Sequence, residues 1–435
     1  MNKYPKVLII NDQSIYKENA TGITLRSFFK LYPSSNIREF HLWKPSKSEY
    51  EGLKINSSVI PQETFPINSI LRKMTGADIS EESKGIGFGT GISILDINKK
   101  SIKFSIKEYV KWISETFFIN IDSIVSVLED EQFVPDIIYT FGARFAIHNL
   151  VFKLSQYYKC PVCIHYMDNW RETCFLNTAK CLKLNEKLNK SVDRIEKLGE
   201  FSLVISPLMA RKYAEFYHGN YQVLMNSIDV TSTSNTVEKF NDDEVLFVYA
   251  GGLHLNRYLG LLDIQESILN SALNSKLLIY TNDESRKKYE SLFDKNVTTF
   301  KDFLPHDKVH EIYSEADILV HIESFEEERQ LYTKYSLSTK IPEYMYSGKP
   351  ILCFASKKLA VSQYIIESKS GICCDTKEEL NAAVVNLALS SELRMNLGRN
   401  GKRVAISNHN ISKAREVLVN VFIQNIQHNI WEIKK

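Results

Sequence analysis

The sequence predicts an α/β protein of two successive domains, each a mainly parallel sheet wound by helices. Three observations carry this expectation. The chain has 435 residues, more than one ordinary core fills, so two domains of about 200 residues each are expected. Short β-like runs alternate with helical apolar patterns in both halves, as βα units and a parallel sheet require. A polar stretch at 229–244, rich in Ser, Thr and Asn, interrupts that alternation and reads as a linker.

In the first half the strand-like runs are 6–11, 37–42, 136–141, 161–167, 203–206 and 222–225. Helical patterns lie between most of them, at 22–31, 106–128, 144–158, 182–198 and 208–217. The segment 45–100 has weak periodicity and carries the run GIGFGTG, with Gly85, Gly87, Gly89 and Gly91. This run misses G-x-G-x-x-G, because Thr90 or Ile92 falls where the last glycine belongs. It also follows EESK and not a strand, and reads as a loop or insertion near the cleft.

The second half restarts the alternation with strands at 245–250, 276–281, 297–300, 318–322 and 350–354. Its helices fall at 259–273, 307–314, 339–347, 377–389 and 393–405. A last amphipathic pattern at 412–430 spaces Val417, Val421 and Ile426 among polar residues. The expected domains are therefore 1–228 and 244–410, with 411–435 a terminal helix packing back on the first. Two such halves place a cleft at the carboxyl ends of their sheets.

Composition excludes several classes. Hydrophobic residues make up 44% of the chain, which suits a packed core and not a disordered chain. A balance of 54 basic against 52 acidic residues leaves +2, so no overall field draws the protein to nucleic acid. The opening apolar run, 7–10, is too short for a secretory core, and no stretch approaches the roughly 18 residues of a membrane span. The expected location is cytoplasmic, at most at the inner face of a membrane. The seven cysteines read as reduced thiols. Cys160 and Cys163 form a C-x-x-C, but inside the apolar run CPVCIHYM and without a second pair at zinc spacing. The basic helix pattern with Lys183, Lys187, Lys190 and Arg194 reads as a core-packed helix with a solvated face. Its alternative is a peripheral membrane contact.

Two sites concentrate chemistry. The first is AGGLHLNRYLG, which runs from a strand through two glycines into a helix. Gly251 and Gly252 allow close backbone approach, the helix start supplies N–H donors, and Arg257 adds a guanidinium, a corner suited to a diphosphate. An ordinary βα turn with a surface arginine is the competing reading. The second is STKIPEYMYSGKPIL, residues 338–352. Ser338 and Thr339 are candidate caps, Lys340 lies in the first turn, and Glu343 can accept two ribose hydroxyls. Here the competing reading is a capping box closed by Glu343.

Residues 245–405 resemble the C-terminal domain of GT-B glycosyltransferases, in particular the glycogen-synthase-like family of bacterial polysaccharide enzymes. That family's G-R-x-x-x-x-K-G signature lays its lysine on Arg257, its arginine on Gly252 and its last glycine on Tyr258. Its E-x7-E signature lays the second glutamate on Glu343 and the first on Tyr335. Ser338, Lys340, Glu343, Tyr344 and the G-K-P at 348–350 fit a branch reading S-x-K-x-x-E-Y-M-x-x-G-K-P. In the first half ENATGITLR, with Gly22, resembles the loop facing the donor phosphates. IHYMDNWRET resembles a strand end followed by H-D, where Met167 replaces the histidine and Asp168 keeps the acid.

The resemblance implies two Rossmann-like domains facing across a cleft, and a glycosyltransferase of the hexosyltransferase type. The first domain would bind the acceptor and the second the nucleotide sugar. Arg257, Lys340 and Asp168 are the expected catalytic residues. Gly22, Gly251, Gly252, Arg257, Phe303, Leu304, Ser338, Thr339, Lys340 and Glu343 are expected at the donor. The acceptor would be a glycan, a lipid-linked group or a protein, and retention of anomeric configuration is implied. The sequence has no Asp-x-Asp triplet, so no metal and no cofactor beyond the nucleotide sugar is expected. Because Gly252 and Tyr335 depart from the family pattern, two alternatives stand. One is a catalytically silent GT-B protein serving as a regulatory or scaffolding partner, the other a sugar-nucleotide epimerase.

Overall fold

The computed structural model describes residues 3–17, 19–42, 53–66, 102–175, 182–230, 243–302, 304 and 308–429. Met1–Met225 with Ile411–Lys435 form one compact unit, and Asn226–Asn410 form another. The glycine run at 85–91 and the linker residues 231–242 lie outside the described residues.

The first unit is built on β1 (Val7–Asn11), β2 (Ile37–His41), β3 (Asn56–Val59), β4 (Ile137–Thr140), β5 (Val162–Tyr166), β6 (Ser202–Val204) and β7 (Tyr221–Val223). They pair in parallel in the order β3-β2-β1-β4-β5-β6-β7. The VLIIN sequence of β1 is buried throughout, as expected for a strand covered on both faces. The terminal helix Ile411–Gln427 closes this unit. Its Leu418, Val421 and Phe422 are buried. Asn425 Oδ1 accepts hydrogen bonds from the Glu200 and Phe201 N–H groups at 2.7 and 3.0 Å.

The second unit carries β8 (Val245–Ala250), β9 (Ser275–Thr281), β10 (Thr298–Asp302), β11 (Ile318–Ile322), β12 (Ile351–Phe354) and β13 (Gly371–Cys374). Its parallel order is β10-β9-β8-β11-β12-β13. Phe247, Leu261, Ile279, Val320 and Val384 pack its core. The chain reverses direction across the sheet between β8 and β11, the switch point where doubly wound sheets bind ligands.

Several elements differ from expectation. The helical pattern at 106–128 is two helices, Ile102–Phe117 and Asp122–Asp130, because the chain leaves helical geometry between Phe118 and Ile121. β3 reads NSSV and lies exposed or half-buried, so it carries no apolar alternation. Helices Asp283–Tyr289, Glu327–Thr333 and Ala360–Ser368 are additional. Cys160 and Cys163 are buried free thiols, and burial pushes Cys160 up to about 12, which makes it inert. In helix Leu182–Glu196 the stripe Leu184, Leu188, Val192 and Ile195 is buried. Among the described residues no helix is long and apolar enough to cross a membrane.

Candidate functional site

Four of the expected residues, Gly251, Gly252, Arg257 and Lys340, lie just beyond or pack against the carboxyl end of β8. Beyond Ala250 the chain turns through Gly251 at φ +154°, backbone that favours glycine. A Cβ there would sit 2.3 Å from Lys340 Nζ, so the turn and the lysine occupy one corner. Lys340 Nζ donates to the Ala250 carbonyl at 2.7 Å and lies 4.9 Å from the centre of the Tyr249 ring. The Tyr249 hydroxyl donates to the Gly252 carbonyl at 2.8 Å. Leu255 and Asn256, both at positive φ, then bring the chain into the helix Arg257–Ser271.

Arg257 opens that helix and its guanidinium is held from β11. Nε donates to the Ile322 carbonyl at 3.1 Å, and Nη2 donates to both Glu323 carboxylate oxygens at 3.0 and 2.9 Å. Nη1 lies 3.4 Å from His254 Nε2. The Glu323 side chain is 5% exposed and has His321 Nε2 3.2 Å from Oε1. Burial alone would raise the Glu323 carboxyl, but Arg257 and His321 outweigh it and hold it down to about 2. Burial lowers His321, and desolvation with the Arg257 and Lys340 cations pushes His254 down to about 4, so the His254 imidazole is neutral at pH 7. Removing one partner from so buried a pair costs about 3–5 kcal/mol.

The second motif forms the seven-residue helix Lys340–Tyr346. Thr339 stands at the cap position in helical geometry with no side-chain cap bond, so the expected capping role fails there. Ser338 Oγ is 3.4 Å from the Lys340 N–H, a long contact. Glu343 Oε2 accepts a hydrogen bond from Tyr313 at 2.8 Å, tying this helix to Val309–Glu315. Gly348, at φ +76°, ends the turn after the helix and delivers Lys349 and Pro350 to β12.

The remaining residues stand apart from this cluster in the chain. Gly22 and Asp168 belong to the first unit. The Gly22 N–H donates to Asn19 Oδ1 at 3.0 Å, capping the helix Ala20–Phe29. Asp168 follows β5 and precedes Asn169, the cap position of Trp170–Thr173. Leu304 follows β10 and is half-buried, and Phe303 lies outside the described residues.

Sequence reading passed over Glu323, His321, His254 and Tyr313. An acid directly after the buried β11 run ILVHI was the available signal, since strand ends at a switch point carry ligands.

The model of the family described as glycosyl transferases group 1 matches residues 232–404. Residues 232–404 form a group 1 glycosyltransferase domain. The whole chain has the GT-B fold of solved glycosyltransferases. Sucrose-phosphate synthase from Thermosynechococcus elongatus is 12% identical, with a TM-score of 0.63 over 97% of this chain and 99% of its own. HepE from Anabaena, solved with UDP, is 12% identical at a TM-score of 0.63 over 96% and 99%. A mutant of S. aureus TarM with Fondaparinux, alpha-GlcNAc-glycerol and UDP is 13% identical at a TM-score of 0.57 over 96% and 99%. Comparison with curated proteins finds no match to this glycosyltransferase.

Proposed function

We propose that this glycosyltransferase moves a sugar from a nucleotide-sugar donor to a hydroxyl of a glycan, lipid-linked or other acceptor, with retention and without a catalytic metal. The observation that carries the donor side is Lys340 Nζ on the Ala250 carbonyl beside Gly251, near enough to Arg257 to feel its charge. A diphosphate placed there would be met by an ammonium and a guanidinium, charge fixed in advance for the departing phosphate. In this reading Glu343 faces the ribose hydroxyls, with Gly251, Gly252, Ser338, Thr339 and Leu304 around the donor. Gly22 faces the donor phosphates from the first unit, and Asp168 serves the acceptor side, where it polarises the incoming hydroxyl. Metal independence rests on the lack of an Asp-x-Asp triplet in the sequence.

The test is a thermal-shift screen of nucleotide sugars followed by turnover, since a ligand that binds only the folded state raises apparent stability. UDP-sugars come first because the HepE and TarM complexes contain UDP. One nucleotide sugar should raise the melting temperature and be consumed only with an acceptor present, in EDTA as well as in buffer. Arg257→Ala and Lys340→Ala should each lower kcat by roughly 10²–10³-fold. Activity lost in EDTA and restored by manganese would remove the metal-free mechanism. Binding without turnover on any acceptor would favour the silent scaffold. An altered sugar nucleotide formed without acceptor would favour an epimerase.

A further inference from the structure

We propose that Glu323 is a positioning residue for Arg257, turning the guanidinium so that its Nη1 edge beside His254 is the part offered to an anionic diphosphate. This rests on the reading of Arg257 as a donor ligand.

Two consecutive groups at the end of β11 grip one arginine. The Ile322 carbonyl takes Nε, and the Glu323 carboxylate takes Nη2 through both oxygens. Neither engages Nη1, which lies toward His254 at 3.4 Å. The grip is itself fixed, because Glu323 is buried and backed by His321 at 3.2 Å. β11 pairs with β8, so the same sheet register that ends at Ala250 sets where the carboxylate stands. Arg257 is the first residue of its helix, and an arginine there could take several rotamers without this clamp.

A buried carboxylate beside an anion site works against simple anion affinity, since the Arg257–Glu323 pair sums to zero charge. It is also weak as a stability device, because buried ion pairs roughly break even against apolar replacements. What the carboxylate adds is direction. An electrostatic contact helps a departing group only when it is held in place before the charge develops.

Three variants separate these roles: Arg257→Ala, Glu323→Gln and the double variant. The binding probe is inorganic pyrophosphate, read by calorimetry, and turnover is read with the nucleotide sugar found in the screen. Arg257→Ala should weaken pyrophosphate about tenfold or more. Glu323→Gln should leave that affinity unchanged or tighter, because a competing anion is gone, while kcat falls about tenfold. The double variant should match Arg257→Ala in binding and turnover, and should melt above it, since no unpaired buried carboxylate remains. If Glu323→Gln does not fold, Glu323→Asp keeps the charge but withdraws it, and should hold pyrophosphate affinity while lowering kcat. Parallel losses of affinity and melting temperature in Glu323→Gln, additive losses in the double variant, or full kcat in Glu323→Asp would overturn the positioning role. Unchanged pyrophosphate affinity in Arg257→Ala would instead overturn the donor-site reading on which it rests.

Discussion

Burial and the neighbouring Arg257 cation push the Lys340 ammonium down to about 7, although Glu323 and Glu343 pull it the other way. Above that pH the free protein holds a neutral amine, whereas a bound diphosphate favours the charged form, so binding takes up a proton. Affinity for a nucleotide sugar, whose diphosphate does not titrate in this range, should therefore be flat below about pH 7 and fall above it, by up to about tenfold per pH unit. Calorimetry in two buffers of different ionisation enthalpy would count the proton, and Lys340→Met should abolish the slope. Persistence of the slope in that variant would assign it to another group. A second expectation concerns Glu343, which accepts from Tyr313. Glu343→Ala should weaken nucleotide-sugar binding by about 2–3 kcal/mol, and Tyr313→Phe should leave binding nearly intact. Equal losses in both variants would mean that the pair is only an inter-helix tie. Lys340 and Glu343 were legible in the sequence because one short motif carries both. Glu323 shows in the sequence only as an acid at a strand end, and its pairing with Arg257 does not, because the two lie 66 residues apart and only the pairing of β11 with β8 brings them together.

At the level of elements, strong apolar runs such as 245–250 and 318–322 were readable to the residue or nearly so, because a buried parallel strand must be apolar on both faces. Three of the misses share a cause. β3 is short and polar, β13 is only GICC, and Glu327–Thr333 has a charged start with Arg329 as its buried residue, so none shows a period of its own. Their conformations are set by neighbours in the fold. The turn from β8 to Arg257–Ser271 is the opposite case, since its two glycines announce a special backbone. Gly251→Ala would place a Cβ 2.3 Å from Lys340 Nζ and force alanine into φ +154°. The lysine end can swing aside but the backbone cannot, so the variant should lose about 1–3 kcal/mol of stability through strain. It should also lose nucleotide-sugar binding through displacement of the ammonium. Denaturant unfolding and calorimetry read the two effects separately, and retained binding with lowered stability would place Lys340 outside the donor contact.

On the scale of the molecule, the chain builds the first unit, leaves it at Asn226 for the second, and returns at Ile411 to finish the first. The amphipathic pattern at 412–430 was visible in the sequence, but the identity of its partners was not, because Phe422 meets Tyr32 and Tyr139, almost 300 or more residues earlier. Phe422 is fully buried, its ring centre 6.4 Å from that of Tyr32 and 6.0 Å from that of Tyr139. Phe422→Ala removes the ring from a packed site that can collapse only in part, and should destabilise the first unit by about 3–5 kcal/mol. Arg257, Glu323, Lys340 and Glu343 all lie within Asn226–Asn410, a different unit from Phe422. Scanning calorimetry of the variant should therefore show the first unit melting early, while the nucleotide-sugar shift of the other transition persists. Glycosyl transfer should fall where the first unit has unfolded, because Asp168, the residue proposed for the acceptor, goes with it. A single cooperative transition that moves as a whole, with donor binding lost in step, would show instead that the two units fold as one and that the terminal helix supports both.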